Sequence, residues 1–412
     1  VTGAGPSGPD PAAAPRLRAV FGATLFVRFG FGLTVAVFAS YIAGRSSGID
    51  AGSVGVVGLV SAMAPVGEFS TVLLSGAAAD RVGRFPVLFA GMISAGLLLA
   101  AAAATRDPWF LAPVNLGFGV ASGAILASSL AVVADEAGSG ERGFEMGKFD
   151  AVNLLGWIGG FAVGFGALGA LPNRELGVLF LAGAGLLALG LAIAYAMVRG
   201  RPSSVPSTPF DLPRILRTVL RRDVLMVTLP WLVIYMLLGT VFVFLGTAAT
   251  GAGLSTGVLA ALIGGGGLLL LVSQPSLGKL ADRFGRMRMM LVGTAGFVGV
   301  LTGAGLLATY GARPEFLAIV GVSALPALSY GPAALAALAD LSQTIPRATT
   351  MAIYSLVISL GMLVGILAAT QLYDRYGVPG LDGYFAGVAT GLLVLTLLRY
   401  RDVRRVRPAG PA

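Results

Sequence analysis

Histidine and cysteine are both absent from the 412 residues. Without cysteine the chain forms no disulfide and offers no thiolate nucleophile or thiolate metal ligand. Without histidine it lacks the commonest metal ligand and the usual carrier of protons near neutral pH. A histidine- or cysteine-based nucleophile pair is excluded with them, and no Walker loop supports direct ATP drive. No cofactor, metal or enzymatic activity is therefore expected. Charge is scarce too: 11% of the residues are Asp, Glu, Lys or Arg, against roughly 25% in a soluble domain.

What is present is apolar. Hydrophobic residues make up 56% of the chain, and the 61 glycines suit close helix–helix contact in an apolar setting. A helix needs about twenty apolar residues to cross a bilayer. Runs of that length lie near Val20–Ile42, Val54–Gly76, Pro86–Ala104, Phe110–Ala134, Met146–Leu171 and Leu176–Val198. Six more lie near Val224–Thr247, Thr256–Leu277, Met289–Thr309, Phe316–Ala339, Ala348–Tyr373 and Tyr384–Arg399. The first carries Arg28 near its middle and is too long for a signal-peptide core, so it reads as a retained span. Gly264–Gly267 marks a kink or a close-packing point in the eighth run.

The basic residues test this topology. With both termini on the cytoplasmic side, 22 Lys and Arg fall on that side, five on the other, and Arg28 within a span. Such an imbalance supports twelve spans in an inner (cell) membrane. It also accounts for the net charge of +9 as membrane-flanking residues that meet anionic lipid, rather than as a nucleic-acid footprint. The expected division is a disordered tail over 1–15, a six-helix half over 16–198, a cytoplasmic linker over 199–222, a second six-helix half over 223–400 and a basic tail over 401–412. The linker's second half, from Asp211 to Arg222, suits a short amphipathic helix on the membrane surface.

One motif organises the chain and occurs twice. Gly76, Asp80, Arg81, Gly83 and Arg84 return as Gly278, Asp282, Arg283, Gly285 and Arg286, an offset of 202 (282 − 80). Each copy falls in a short polar turn between apolar runs. The strings Leu130–Asp135 with Arg142 and Leu155-Gly156 match Leu335–Asp340 with Arg347 and Leu360-Gly361 at an offset of 205 (340 − 135). Six-helix repeats in parallel orientation are a transporter architecture. In the turn, Gly76 is expected to permit close backbone approach and Gly83 to take positive φ. As a plain alternative, the turn's charges serve only to set topology.

These residues give the chain a resemblance to the major facilitator superfamily over nearly its whole length. The resemblance implies an all-α integral membrane fold of twelve helices, with a central cavity opened alternately to each side. It implies that the Gly76–Arg84 cluster is a conformational latch. Asp80 would face the helix start near Pro346–Thr350, and Arg81 or Arg84 would meet Asp135 or Glu136. It also implies that helices one, four, seven and ten line the cavity, which favours Asn115, Trp231, Tyr235 and Tyr330 as lining residues; each also suits plain packing. Two departures stand out. Helix four, Pro113-Val-Asn115-Leu-Gly117, lacks the arginine of many proton-coupled exporters, and Gly156-Trp-Ile-Gly159-Gly160 lacks the proline of the drug-exporter signature in helix five.

Arg28 and Glu68 form the sharpest candidate site. Each lies about eight residues from the same membrane boundary, roughly 12 Å deep. A charge at that depth costs at least ~2.5 kcal/mol and is usually paired. They suit a functional pair, with Arg28 holding an anionic group and Glu68 carrying a proton, or a structural lock between helices one and two. Asp150 is the second proton candidate, although a carboxylate near a helix N-terminus is also favoured by the dipole. Asn153, Trp157, Gln274 and Tyr354 are the other notable span residues, and Tyr330-Gly-Pro332 marks a break in helix ten. The expected function is transport of a small organic solute by a monomeric secondary carrier coupled to protons, with drug-like efflux favoured. The alternatives are uptake of an organic anion held by Arg28 and, more remotely, a membrane sensor on a carrier scaffold.

Overall fold

The computed structural model describes residues 13–43, 54–136, 142–199, 220–251, 255–311, 313–341 and 347–405, together with 213 and 217. Most of the expected tails and of the linker lie outside these residues, but 13–15 and 401–405 are helical, so the first helix begins inside the stretch expected to be disordered and the last runs into the basic tail. Thirteen α-helices occur among the described residues. The first six are α1 (Ala13–Ala43), α2 (Val54–Val82), α3 (Arg84–Ala102), α4 (Pro108–Glu136), α5 (Arg142–Ala170) and α6 (Gly177–Val198). The rest are α7 (Arg222–Gly251), α8 (Thr256–Phe284), α9 (Arg286–Tyr310), α10 (Pro314–Leu328), α11 (Tyr330–Leu341), α12 (Arg347–Tyr376) and α13 (Val378–Arg405).

Ten segments are long and apolar enough to cross a bilayer; one of them, Pro314–Ala334, joins α10 to α11. Shorter apolar stretches in α7 and α8, Thr228–Val241 and Ile263–Gln274, complete twelve spans in two halves of six. Leu97, Val272 and Val322 are 67%, 68% and 78% exposed, which suits hydrocarbon and not water.

Within the first half α1 packs on α5 and α6, α2 on α4, and α3 on α4 and α6. In the second half α7 packs on α12, and α9 on α10 and α13. Two seams join the halves: α2 against α12, and α5 against α8. These are spans two with eleven and five with eight. Shifting each number by six turns one pair into the other, so a pseudo-twofold axis relates the seams.

Glycine sets the spacing inside each half. A Cβ on Gly156 would lie 2.6 Å from Arg28 Cβ, and one on Gly160 would strike the Phe29 carbonyl. Their counterparts 205 positions on, Gly361 and Gly365, press on α7 in the same way: a Cβ on Gly361 would lie 2.7 Å from Tyr235 Cβ. The repeated glycines therefore keep two pairs of backbones close enough to touch. They also make Tyr235 the counterpart of Arg28 across the axis. In the eighth run, Gly267 packs directly on Ile158 of α5 and Gly264 on Ala162. Helix α8 continues unbroken through them, so the glycine run is a contact and not a kink.

Span ten is interrupted at Ser329, one residue before the expected Tyr330-Gly-Pro332 break. The Ser329 hydroxyl donates to the Pro326 carbonyl at 2.7 Å and to Met289 of α9 at 3.1 Å. Gly293 and Gly296 on α9 leave room for the backbone at Tyr330 and Ala327. The break is thus seated against α9, and it fixes where Tyr330 points.

Candidate functional site

A cavity of about 480 Å³ is lined by residues of both halves. Aromatic and aliphatic side chains make most of its wall. The charged lining residues are Arg28, Glu68 and Asp150, all from the first half.

Arg28 is 6% exposed. Its guanidinium carbon lies 5.7 Å from the ring centres of both Phe31 and Trp157. Phe31 in turn sits 4.3 Å from Phe118, and Trp157 stacks on Phe161 at 5.5 Å. An arginine within ~6 Å of aromatic faces gains about 2 kcal/mol when desolvated, which offsets part of the cost of a charge at this depth. The positive charge of Arg28 also acts on Glu68.

Glu68 is placed by α2, whose Gly67 packs on the Leu116 carbonyl of α4. Its Oε1 accepts a hydrogen bond from Ser355 Oγ of α12 at 2.8 Å, and Ser122 of α4 lines the same cavity. The Ser355 bond crosses the seam between the halves. Sequence reasoning paired Glu68 with Arg28 alone, and missed Ser355, although that serine is Asp150 shifted by 205 positions.

The four lining residues expected from helices four, seven and ten border the cavity, with specific attachments. Asn115 Nδ2 donates to the Val60 carbonyl at 2.7 Å, beside the carbonyl that Pro65 leaves without its helix donor. Trp231 stacks on Tyr235 at 6.2 Å and meets Tyr330 edge-on at 6.1 Å. The helix set itself needs enlarging. Helix α5 presents Asp150, Asn153, Trp157 and Phe161 to the cavity, and α8 presents Gln274. Asp150 lies eight residues beyond the start of α5 at Arg142, too deep for the terminal dipole, which fades within one turn. The short distance expected from the helix N-terminus is therefore corrected.

At the hinge, Gly83 takes φ 111° and Gly285 φ 93°, so both turns use a conformation open to glycine. Each glycine N–H reaches back to a buried alanine, Ala79 at 3.2 Å and Ala281 at 3.0 Å. Gly76 and Gly278 do not serve close approach: a Cβ on either would meet no atom within 4 Å. Buried Arg84 binds Asp80 and donates from Nε to Asp135 Oδ2 at 3.2 Å. Arg81 is exposed, and Glu136 is instead held by Arg16 at 2.7 Å. In the second copy Arg283 lies over the Phe284 ring at 5.8 Å and Arg286 is half-buried. The side chains of Arg142, Asp282, Asp340 and Tyr354 and those of Arg347–Thr350 lie outside what is described, as does Pro346, although α12 does begin at Arg347, within the expected helix start. Gly83→Ala should cost about 1–3 kcal/mol, because φ 111° and ψ 152° form a backbone region held essentially by glycine; this is read as a lower thermal midpoint in detergent, whereas Gly76→Ala should be neutral or mildly stabilising. Equal losses in both variants would mean that φ at Gly83 is not what the turn depends on.

Comparison with known proteins bears on the whole chain. The Major Facilitator Superfamily profile matches residues 20–329 and 271–412. No match was found among curated protein sequences. The fold is similar to the human organic anion transporter MFSD10 (TETRAN), with 17% identity, a TM-score of 0.71, and 94% of this chain and 100% of that one covered. It is also similar to a POT family transporter in complex with a thioalcohol-conjugated peptide, at 14% identity and a TM-score of 0.72, covering 94% and 96%. A mutant of the nucleoside transporter NupG aligns at 14% identity and a TM-score of 0.64, covering 93% and 98%. At these identities the likeness is one of fold, and it agrees with the profile and with the paired hinges: the chain belongs to the Major Facilitator Superfamily.

Proposed function

We propose that this chain is a proton-coupled secondary transporter that exports lipophilic, drug-like solutes through the central cavity by alternating access. The Glu68–Ser355 hydrogen bond carries the reading, because it joins the halves at a carboxylate in the cavity wall. A hydrogen bond to an ionised carboxylate is roughly twice as strong as a neutral one. Proton binding at Glu68 therefore weakens a tie across the seam and reduces the attraction of Arg28. One titration changes both the cavity charge and the grip between the halves. The mainly apolar, aromatic wall suits a lipophilic solute, and two carboxylates against one arginine suit one without negative charge. The reading also takes the protein as a monomer in the inner membrane, with both termini and the Gly83 hinge in the cytoplasm.

A second reading, uptake of an organic anion, rests on Arg28 in its aromatic surround, and the fold's likeness to an organic anion transporter is consistent with it. The test is flux of ethidium into proteoliposomes with and without an imposed pH gradient. Saturable flux that grows with the gradient is expected. Flux indifferent to the gradient would remove proton coupling, and flux of an anionic dye alone would favour uptake.

A further inference from the structure

The two seams carry equivalent positions with different contents. On α12, Ser355 donates to the carboxylate of Glu68 on α2. The residue equivalent to Ser355 on α5 is Asp150, and the residue equivalent to Glu68 on α8 is Leu270. At the second seam the carboxylate stands on the other helix, and the residue equivalent to Glu68 is a leucine, which has no donor to offer. Asp150 makes no hydrogen bond or ion pair among the described residues, yet it lines the cavity.

A second acceptor stands one turn away. Asn153 Oδ1 is fully buried without a hydrogen-bond partner, and Asn153 also lines the cavity. Residues three apart share a helix face, so the two acceptors lie on one side of α5. The same face continues to Trp157 and Phe161, stacked at 5.5 Å. From Asp150 to Trp157 is seven residues, roughly 10 Å along the axis. A buried acceptor left unpaired is costly, and beside a half-buried carboxylate that lines the cavity it calls for a donor with several N–H bonds and a positive charge. We propose that Asp150 and Asn153 form a head-group subsite for a protonated amine, whose apolar body lies along Trp157 and Phe161. Nearby Arg28 repels a cation from the other end of this strip, which orients the ligand with its amine at Asp150.

This inference rests on the cavity being the transport site, as proposed above, and it names the substrate class as lipophilic amines. The test measures equilibrium binding to the purified full chain in detergent by calorimetry, with no gradient. The probes are 2-(1-naphthyl)ethylamine and 1-naphthylacetate, which share a ring system and differ in charge. Wild type should bind the amine more tightly than the acetate. Asp150→Asn should weaken the amine by roughly tenfold or more, the scale of a hydrogen bond to a charged group, without weakening the acetate. Asn153→Asp, a gain-of-binding variant, should tighten the amine severalfold. Wild type that binds the acetate better, or neither probe, overturns the subsite. So does unchanged amine binding in both variants, or loss of gradient-driven flux in Asp150→Asn with its amine binding intact. Failure of proton coupling at Glu68 would appear in the flux assay and leave these affinities unmoved.

Discussion

Glu68→Gln is expected to reduce gradient-driven solute flux in proteoliposomes to that of empty vesicles while sparing exchange at equal pH on both sides. Glutamine has the shape of glutamate, and its amide oxygen still accepts the bond that Ser355 Oγ donates at 2.8 Å. What it cannot do is gain or lose a proton. The neutral bond is also weaker than the charge-assisted one, so the α2–α12 seam stays permanently in its proton-loaded strength. Binding and reorientation of the solute remain possible, and a labelled solute still equilibrates with unlabelled solute. Ser355→Ala separates the two roles. It keeps the carboxylate and removes the cross-seam donor, so the gradient response should persist with an altered exchange rate. Gradient-driven flux in Glu68→Gln equal to that of wild type would assign the proton to another residue.

Most of the fold is legible in the sequence because bilayer thickness makes helix length a physical requirement. The apolar runs and the helices coincide closely: the run near Val54–Gly76 lies within α2, and Leu176–Val198 contains all of α6. Helix ends extend past the apolar runs wherever polar residues remain helical outside the hydrocarbon, as in α2 from Ala77 to Val82. The duplicated hinge was legible for a similar reason. Only glycine adopts the backbone found at Gly83 and Gly285 without strain, so the turn chemistry shows in the letters themselves. Gly76 was misread because a glycine near a turn looks the same whether it touches a neighbour or faces open space.

The site was legible in its charges and not in its partners. A buried charge is conspicuous in an apolar sequence, which brought out Arg28 and Glu68. Their neighbours are common residues: Phe31 and Trp157 around the guanidinium, Ser355 at the carboxylate. Nothing in a serine's immediate context shows that it faces a carboxylate 287 positions earlier in the chain. The 205-residue offset was the available signal, since it superposes Ser355 on Asp150 and Gly361 on Gly156. Used at every position and not only at the matching strings, it would have placed both residues at the seams.

Arg84→Ala is expected to cost about 3 kcal/mol, near the lower end of the range for removing one partner of a buried ion pair. The Arg84 side chain is 7% exposed, that of Asp80 15% and that of Asp135 28%. One guanidinium neutralises two carboxylates here, joining the end of α2 to the end of α4 at the start of α3. Alanine leaves both carboxylates partly shielded from water with no counter-charge, and each repels the other. Water reaches Asp135 more readily, which keeps the loss below that of a fully enclosed triad. Arg84→Lys retains the charge but cannot spread it over two acceptors in a fixed plane, so it should recover only part of the loss. A double-mutant cycle with Asp135→Asn, read as thermal midpoints in detergent, isolates the cross-helix contact. Coupling indistinguishable from zero would show that the α3–α4 ion pair adds nothing to stability. Coupling above about 1 kcal/mol would exceed what exposed surface pairs deliver, and would show that Arg84 ties the start of α3 to the end of α4 in the folded protein.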